Sequence, residues 1–223
     1  MTTPNQSTAP VSSEDKAATP PASSTPYHHG NLRAALIEVG LQALRDKPAH
    51  ELSLRDLARQ VGVSANAAYR HFADKEALLM ALAAEGFRRF TQAQVQAAIA
   101  GDTPLTMFKS AGQAYVRFAR DNAALFQLMF GRFPAKERSP ELVETSEASF
   151  SGLIGLAALH AGLPQDHPAV RIRALTAWSF VHGLSHLVLD GQLDKFGDDI
   201  DTLVDVLIDQ MGAAALPAMS AEA

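Results

Sequence analysis

The sequence predicts an all-α fold in which three short helices lead into a bundle of longer ones. Three observations predict it. Apolar residues recur at steps of three and four from Gly30 onward, cap residues punctuate that period, and no persistent two-residue alternation of a half-buried strand occurs. With 47% hydrophobic residues in 223, the chain is long enough to bury a sizeable core.

Taken in order, Leu32, Ala35, Leu36, Val39 and Ala43 make one apolar helical face, with Pro48 just past its end. Ser53 precedes a short apolar pattern, Leu54, Leu57, Ala58 and Val61, which stops at Gly62. Ser64 caps the next stretch, and Asp74 caps a long helix through Leu78, Leu79, Leu82, Phe87 and Phe90. Thr103 and Pro104 open a helix to about Arg120, and Asn122 caps a short one to Phe130. After the polar connector GRFPAKERSP, Pro140 starts a helix to about His160. Asp166 with Pro168 starts one to about Leu189, and Asp199 one to about Ala214.

The expected domains are a tail over 1–26, a helix-turn-helix unit over 27–76 and a helical body over 77–216. The tail is Ser, Thr, Pro and Ala with almost no large apolar group, so it cannot offset its ordering entropy and is expected to be disordered. It lacks the basic and apolar regions of a secretory signal. No run reaches the 18 apolar residues of a membrane span, so no membrane partner is expected. Zero cysteines exclude disulfides, thiolate metal sites and a Cys nucleophile, and fit a cytoplasmic location. Net charge is -5, but residues 27–76 hold seven Lys and Arg against six Asp and Glu, with four histidines. A near-neutral head on an acidic body suits a small nucleic-acid-binding unit attached to something else.

The stretch VSANAAYRHFADKEAL is the most informative. Ala68 and Phe72, four apart, point one way and can pack with Val63, Leu57 and Leu78, while Asn66 and Arg70 lie opposite, flanked by Ala67 and Tyr69. Such a face has little bulk and several hydrogen-bonding tips. A helix entering the major groove needs this, because short side chains let its backbone approach while polar tips reach bases and phosphates. Gly62 supplies a positive φ for the turn, and Ala58 is small enough for a close crossing.

The string LSLRDLARQVGVSANAAYRHFADKEALLMAL, with YHHGNLRAALIEVGLQAL before it, resembles the N-terminal domain of TetR/AcrR-family transcriptional regulators. Trp178, His182 and Gly183 in AWSFVHGLSHLVL resemble the Trp-His-Gly motif of one subgroup of the family's C-terminal domains. The resemblance implies a ligand-responsive regulator, most often a repressor, and not an enzyme. It also implies a homodimer on a pseudo-palindromic double-stranded operator, released by a small-molecule effector among the C-terminal helices. The architecture implied is a three-helix N-terminal helix-turn-helix domain joined by a long helix to a C-terminal helical bundle that dimerises. Carried over by position, Ser53 touches phosphate and Arg55 reaches a base edge or the backbone. Ser64 opens the recognition helix, and Ala65, Asn66, Ala67 and Arg70 face the groove. Tyr69 and His71 bind phosphate, and Lys75 adds charge there. Many members have Gly or Thr where Asn66 and Ala67 stand, so the operator sequence does not carry over.

Met107, Phe118, Phe126, Met129, Leu175, Trp178 and His182 are the candidate ligand contacts; for most of the aromatic and Met positions plain core is the competing account. His182 and His186, four apart with Asp190 continuing the row, offer a competing reading as a helical enzyme or metal protein. No third ligand, Ser/His/Asp spacing or phosphate loop supports it, so no catalytic residue, metal or cofactor is expected. Gly183 and Ser185 among Leu184, Leu187 and Val188 suit close packing against another helix, the partner subunit's or the chain's own.

Overall fold

In a computed structural model of the chain, the described residues are 32–133, 137–197 and 199–213. The expected tail, residues 1–26, lies outside them, as do the ends of the two expected domains. Among the described residues the elements are all helical. They are α1 Leu32–Ala43, α2 Leu54–Gln60, α3 Ala65–Tyr69, α4 Lys75–Ile99, α5 Pro104–Asp121, α6 Ala123–Met129, α7 Pro140–Ala161, α8 Pro168–Leu189 and α9 Ile200–Ala213. Single 3-10 turns at Ala49–Glu51 and Asp194–Phe196 were not foreseen by periodicity, which needs more than three residues to register.

Most starts are capped as the sequence predicts. Asp56 N–H donates to Ser53 Oγ, Ala67 N–H to Ser64 Oγ and Ala77 N–H to Asp74 Oδ1. Thr103 and Thr106 form a reciprocal capping box at α5. Two cap assignments need correction. Asn122 precedes α6, but its amide donates back to Phe118 O at 3.1 Å and closes α5. Its backbone, φ -136 and ψ 45, is not the extended conformation that aims a cap forward. At α8 the cap is His167, not Asp166, and its Nδ1 accepts from Ala169 N–H at 3.2 Å. Pro168 forces the residue immediately before it into extended geometry, so that residue takes the cap position.

The head and the body share α4. The expected boundary after Glu76 falls in its first turn, so the two are joined by one unbroken helix. Leu36 of α1, Leu57 and Ala58 of α2, Ala68 of α3 and Leu78 and Leu82 of α4 are fully buried together. Gly40 marks the closest approach of α1, since a Cβ there would lie 2.9 Å from Leu82 Cδ2. The same core continues along α4 through Phe87 and Phe90 to Tyr115 of α5 and Phe126 of α6. A smaller cluster, built on Phe108, Ala157, Val170 and Ala174, joins α5, α7 and α8. Among the described residues no helix is long and apolar enough to cross a membrane.

Candidate functional site

Two places in the fold gather the candidate residues: the outer face of α2 and α3, and a cavity in the body. The turn between α2 and α3 closes where Val63 N–H donates to Ala58 O at 2.9 Å, with Gly62 at φ 78. A side chain at that φ would be strained, so glycine is required there. Ala68 and Phe72 pin α3 from beneath, being 0% and 2% exposed. The outer face then carries Asn66, Tyr69, Arg70 and His71, all exposed, with Ala65 and Ala67 half-buried between them. Among the described residues Arg55 and Arg70 are in no ion pair, whereas Arg59 is held by Asp56 at 2.9 Å. Ser53 and Ser64 accept cap hydrogen bonds through oxygen, which leaves each hydroxyl proton available to an acceptor. Lys75 opens α4, as expected, and has a further partner. Its ammonium donates to His50 O in the 3-10 turn, so it ties α4 to that turn and keeps only its remaining N–H groups for phosphate.

Behind this face lies a chain of ion pairs that sequence reasoning missed. Glu141, in the first turn of α7, accepts from Arg33 of α1 at 2.5 Å and from Arg88 of α4. Arg33 also lies 5.5 Å over the Phe72 ring, the residue that anchors the end of the recognition segment. Arg88 and Arg89 share Glu85, and Arg89 continues to Glu38 of α1 at 2.5 Å. Burial pushes the Glu141 carboxyl up, but Arg88 and Arg33 outweigh it and hold the group below its usual range. These partners lie 53 and 108 residues apart in sequence, beyond any local spacing rule.

The cavity, about 550 Å³, lies among α4, α5, α7 and α8. Met107, Met129 and Trp178 line it; Phe118, Phe126, Leu175 and His182 do not. Phe126 is 0% exposed and belongs to the core, and Phe118 packs edge-on against Phe90 at 5.3 Å. Leu175 points to the outside and is 38% exposed. Three residues turn a helix only 300°, so Leu175 sits off the Trp178 face rather than on it. His182 stands behind the wall. Trp178 Nε1–H donates to Tyr115 Oη at 3.2 Å, and Tyr115 Oη lies 2.8 Å from His182 Nδ1. The Tyr115 hydroxyl thus bridges Trp178 and His182, with its proton or that of Nδ1 shared in the second contact according to the histidine tautomer. Burial and the neighbouring His186 both hold the His182 pKa below its usual value, and burial pushes the Tyr115 phenol up. The sequence reading did not single out Phe87, Tyr115, Leu142 or Phe150, which also line the cavity, because a wall position and a core position share one helical period.

His182 and His186 are close, with ring centroids 4.9 Å apart, yet among the described residues no group of three or more His, Asp or Glu could hold a metal ion. On the outer side of α8, Ile172, Leu175 and Leu187 are exposed, with Leu159 of α7 and Leu163 just after it. Gly183 is also exposed, whereas Ser185 is buried and donates to Val181 O at 2.7 Å. Small-residue packing thus divides: Ser185 serves the chain's own core, and Gly183 faces out.

Comparison with known proteins matches two families. Residues 36–82 match bacterial regulatory proteins of the tetR family, and residues 108–211 match the tetracyclin repressor-like C-terminal domain. No curated protein matches the chain. Among solved structures, a protein of unknown function from Rhodococcus sp. RHA1 is 35% identical, with TM-score 0.72, covering 85% of this chain and 97% of that one. The transcriptional regulator FadR from Bacillus subtilis, in complex with stearoyl-CoA, is 15% identical with TM-score 0.62, covering 81% and 98%. A TetR family transcription regulator from Marinobacter aquaeolei VT8 is 18% identical with TM-score 0.60, covering 81% and 93%.

Proposed function

Because the chain belongs to the tetR family of bacterial regulatory proteins, a DNA-binding transcription regulator rather than an enzyme, we propose that it is a homodimeric repressor released from its operator by a small molecule. The observation that carries the reading is the outer face of α3. Ala65, Asn66 and Ala67 leave the helix bare, and Tyr69, Arg70 and His71 fringe it with donors. In this reading Asn66 and Arg70 reach base edges, while Ser53, Ser64, Tyr69, His71 and the free donors of Lys75 hold phosphates. Arg55, unpaired and exposed, serves either.

The exposed apolar side of α8 supports a homodimer, because a C2 pairing would cover Ile172, Leu175 and Leu187 with their own copies. The body cavity supports an effector site. FadR, of similar fold, holds stearoyl-CoA, which favours a largely apolar effector here. The motif Trp178, His182 and Gly183, its first two members joined through Tyr115, supports our reading of a C-terminal domain of the Trp-His-Gly kind. The site of action is the cytoplasm, where the operator is.

Footprinting on the DNA upstream of the chain's own gene tests the proposal. Protection of two half-sites about 34 Å apart, one helical turn, is expected of two recognition helices. Protection of a single half-site would refute the dimeric arrangement, and no protection at any concentration would refute the operator assignment.

A further inference from the structure

We propose that the body cavity takes a single-chain amphipathic anion, with a carboxylate-type head at Arg138 and an unbranched apolar tail running between α4 and α7 toward Ile99. The proposal rests on the reading of the chain as an effector-controlled regulator and names the chemistry of that effector.

The shape comes from the helices. On α4 the wall runs from Phe87 to Ile99, and on α7 from Leu142 to Leu156, which at the α-helical rise is about 18 and about 21 Å. The two stretches point the same way. At one end Ser139 N–H meets Met80 Sδ at 3.3 Å and Glu141 pairs with Arg88, so α7 begins beside the early turns of α4. At the other end His160 of α7 stacks on Phe108 at 4.9 Å, next to the turn from α4 into α5. The hollow, about 550 Å³, is thus walled along two parallel helices over a length that an extended chain would match.

The walls set the chemistry. They are aromatic and aliphatic, with Phe90, Met107, Phe133, Phe150, Leu153 and Trp178 among them. Such a surface rewards apolar area. Of its few polar groups, Ser146 donates to its own helix at Val143 O and Tyr115 is engaged by Trp178 and His182, while Thr91, Gln94 and Ser149 are scattered among the apolar side chains. Among the described residues no Asp or Glu lines the cavity, which leaves a cationic head without a counter-charge. Arg138 is, among the described residues, the charged residue of the wall, and it lies at the Phe133–Leu142 end. Only its Nε is used, donating to Phe133 O at 3.4 Å, so among the described residues both terminal nitrogens are without a partner. A guanidinium presenting two parallel N–H groups matches a carboxylate.

Trp178, the one tryptophan, reports occupancy directly. The full chain is titrated with dodecanoate, dodecanol, dodecylammonium, butanoate and cholate, all below micelle-forming concentrations, and emission is followed. Dodecanoate is expected to bind most tightly and butanoate least among the single chains. Arg138→Gln should weaken dodecanoate roughly tenfold, as loss of a charged hydrogen-bonding partner does, and leave dodecanol unchanged. Preference for cholate or dodecylammonium over dodecanoate, equal binding of butanoate, or indifference of dodecanoate to Arg138→Gln would each overturn the proposal. Operator release, read separately by mobility shift, distinguishes the two claims. Dodecanoate that binds without releasing DNA overturns effector control by this class, whereas release by another compound with no dodecanoate binding overturns the class and leaves control standing.

Discussion

Tyr69 is 41% exposed at the end of a helix only five residues long, and among the described residues no hydrogen bond engages its hydroxyl. A phosphate contact supplies one. Tyr69→Phe should therefore weaken operator binding by about 1 kcal/mol, the worth of one hydrogen bond, without altering the melting temperature. Equal affinity of the variant in a mobility-shift titration would remove Tyr69 from the interface. His182 carries a second prediction. Its folded pKa is depressed by burial and by His186, so the unfolded chain binds that proton more readily. The stability it contributes is full above the usual histidine value of 6.5 and is lost as pH falls through the folded pKa. Thermal midpoints should drop between about pH 7.5 and 5.5. His182→Gln should flatten that drop only in part, because His160, depressed by burial and Arg173, titrates the same way. Tyr69 was legible in the sequence since its neighbours on one short helix define the face. The partner of His182 was not, since Tyr115 lies 67 residues away.

At the scale of the element, α8 has two different sides. Val170, Ala174, Ala177, Val181 and Leu184 are buried, and Ile172, Leu175 and Leu187 are exposed across the helix from them. An isolated helix with both sides apolar wants a second neighbour. Leu187→Glu should place an unpaired charge in the proposed dimer contact and shift the protein to monomers in sedimentation, while its helix content by circular dichroism stays unchanged. An intact dimer would move the interface off α8. On α9, Leu203 and Leu207 are half-buried against the chain's own core, and Val206 is open at 51%. Helical period revealed both apolar sides of α8, but it does not say which is turned inward, because both satisfy the same step of three and four.

Over the whole molecule, Glu141 links the helix that walls the cavity to the segment beneath α3. It begins α7, whose next turns form the cavity wall, and it holds Arg33, which lies over Phe72 below the recognition segment. An effector that displaces the start of α7 must stretch or release these pairs, and only a ligand that binds the two arrangements unequally can shift them. Glu141→Gln should thus shrink the ratio of operator Kd with and without effector, with little change in effector affinity read from Trp178. Exposed pairs of this kind add little stability, so the change in melting temperature should be small. A variant whose operator release is identical to that of the parent would show that coupling runs elsewhere, along α4 itself.

The chain's own order of residues determined the helices, their caps and the reading face of α3. Each of these is settled within one or two turns, by side chains that meet their own backbone or an apolar neighbour three or four positions on. Ser64, Gly62, Ala68 and Phe72 suffice to define α3 before any fold is known. The choice of His167 over Asp166 as the α8 cap came from one adjacent proline, but tertiary structure decided what depends on distant parts of the chain meeting: the cavity needed helices from α4 to α9 to pack imperfectly together. Apolar residues at helical spacing fill a core when neighbours close on them and line a hollow when they do not. Phe126 is 0% exposed in the core, and Met129, one turn later, reaches the cavity wall. The clasp of Arg33, Glu141 and Arg88 likewise exists only where α1, α4 and α7 converge, since attraction between charges follows distance in space rather than along the sequence.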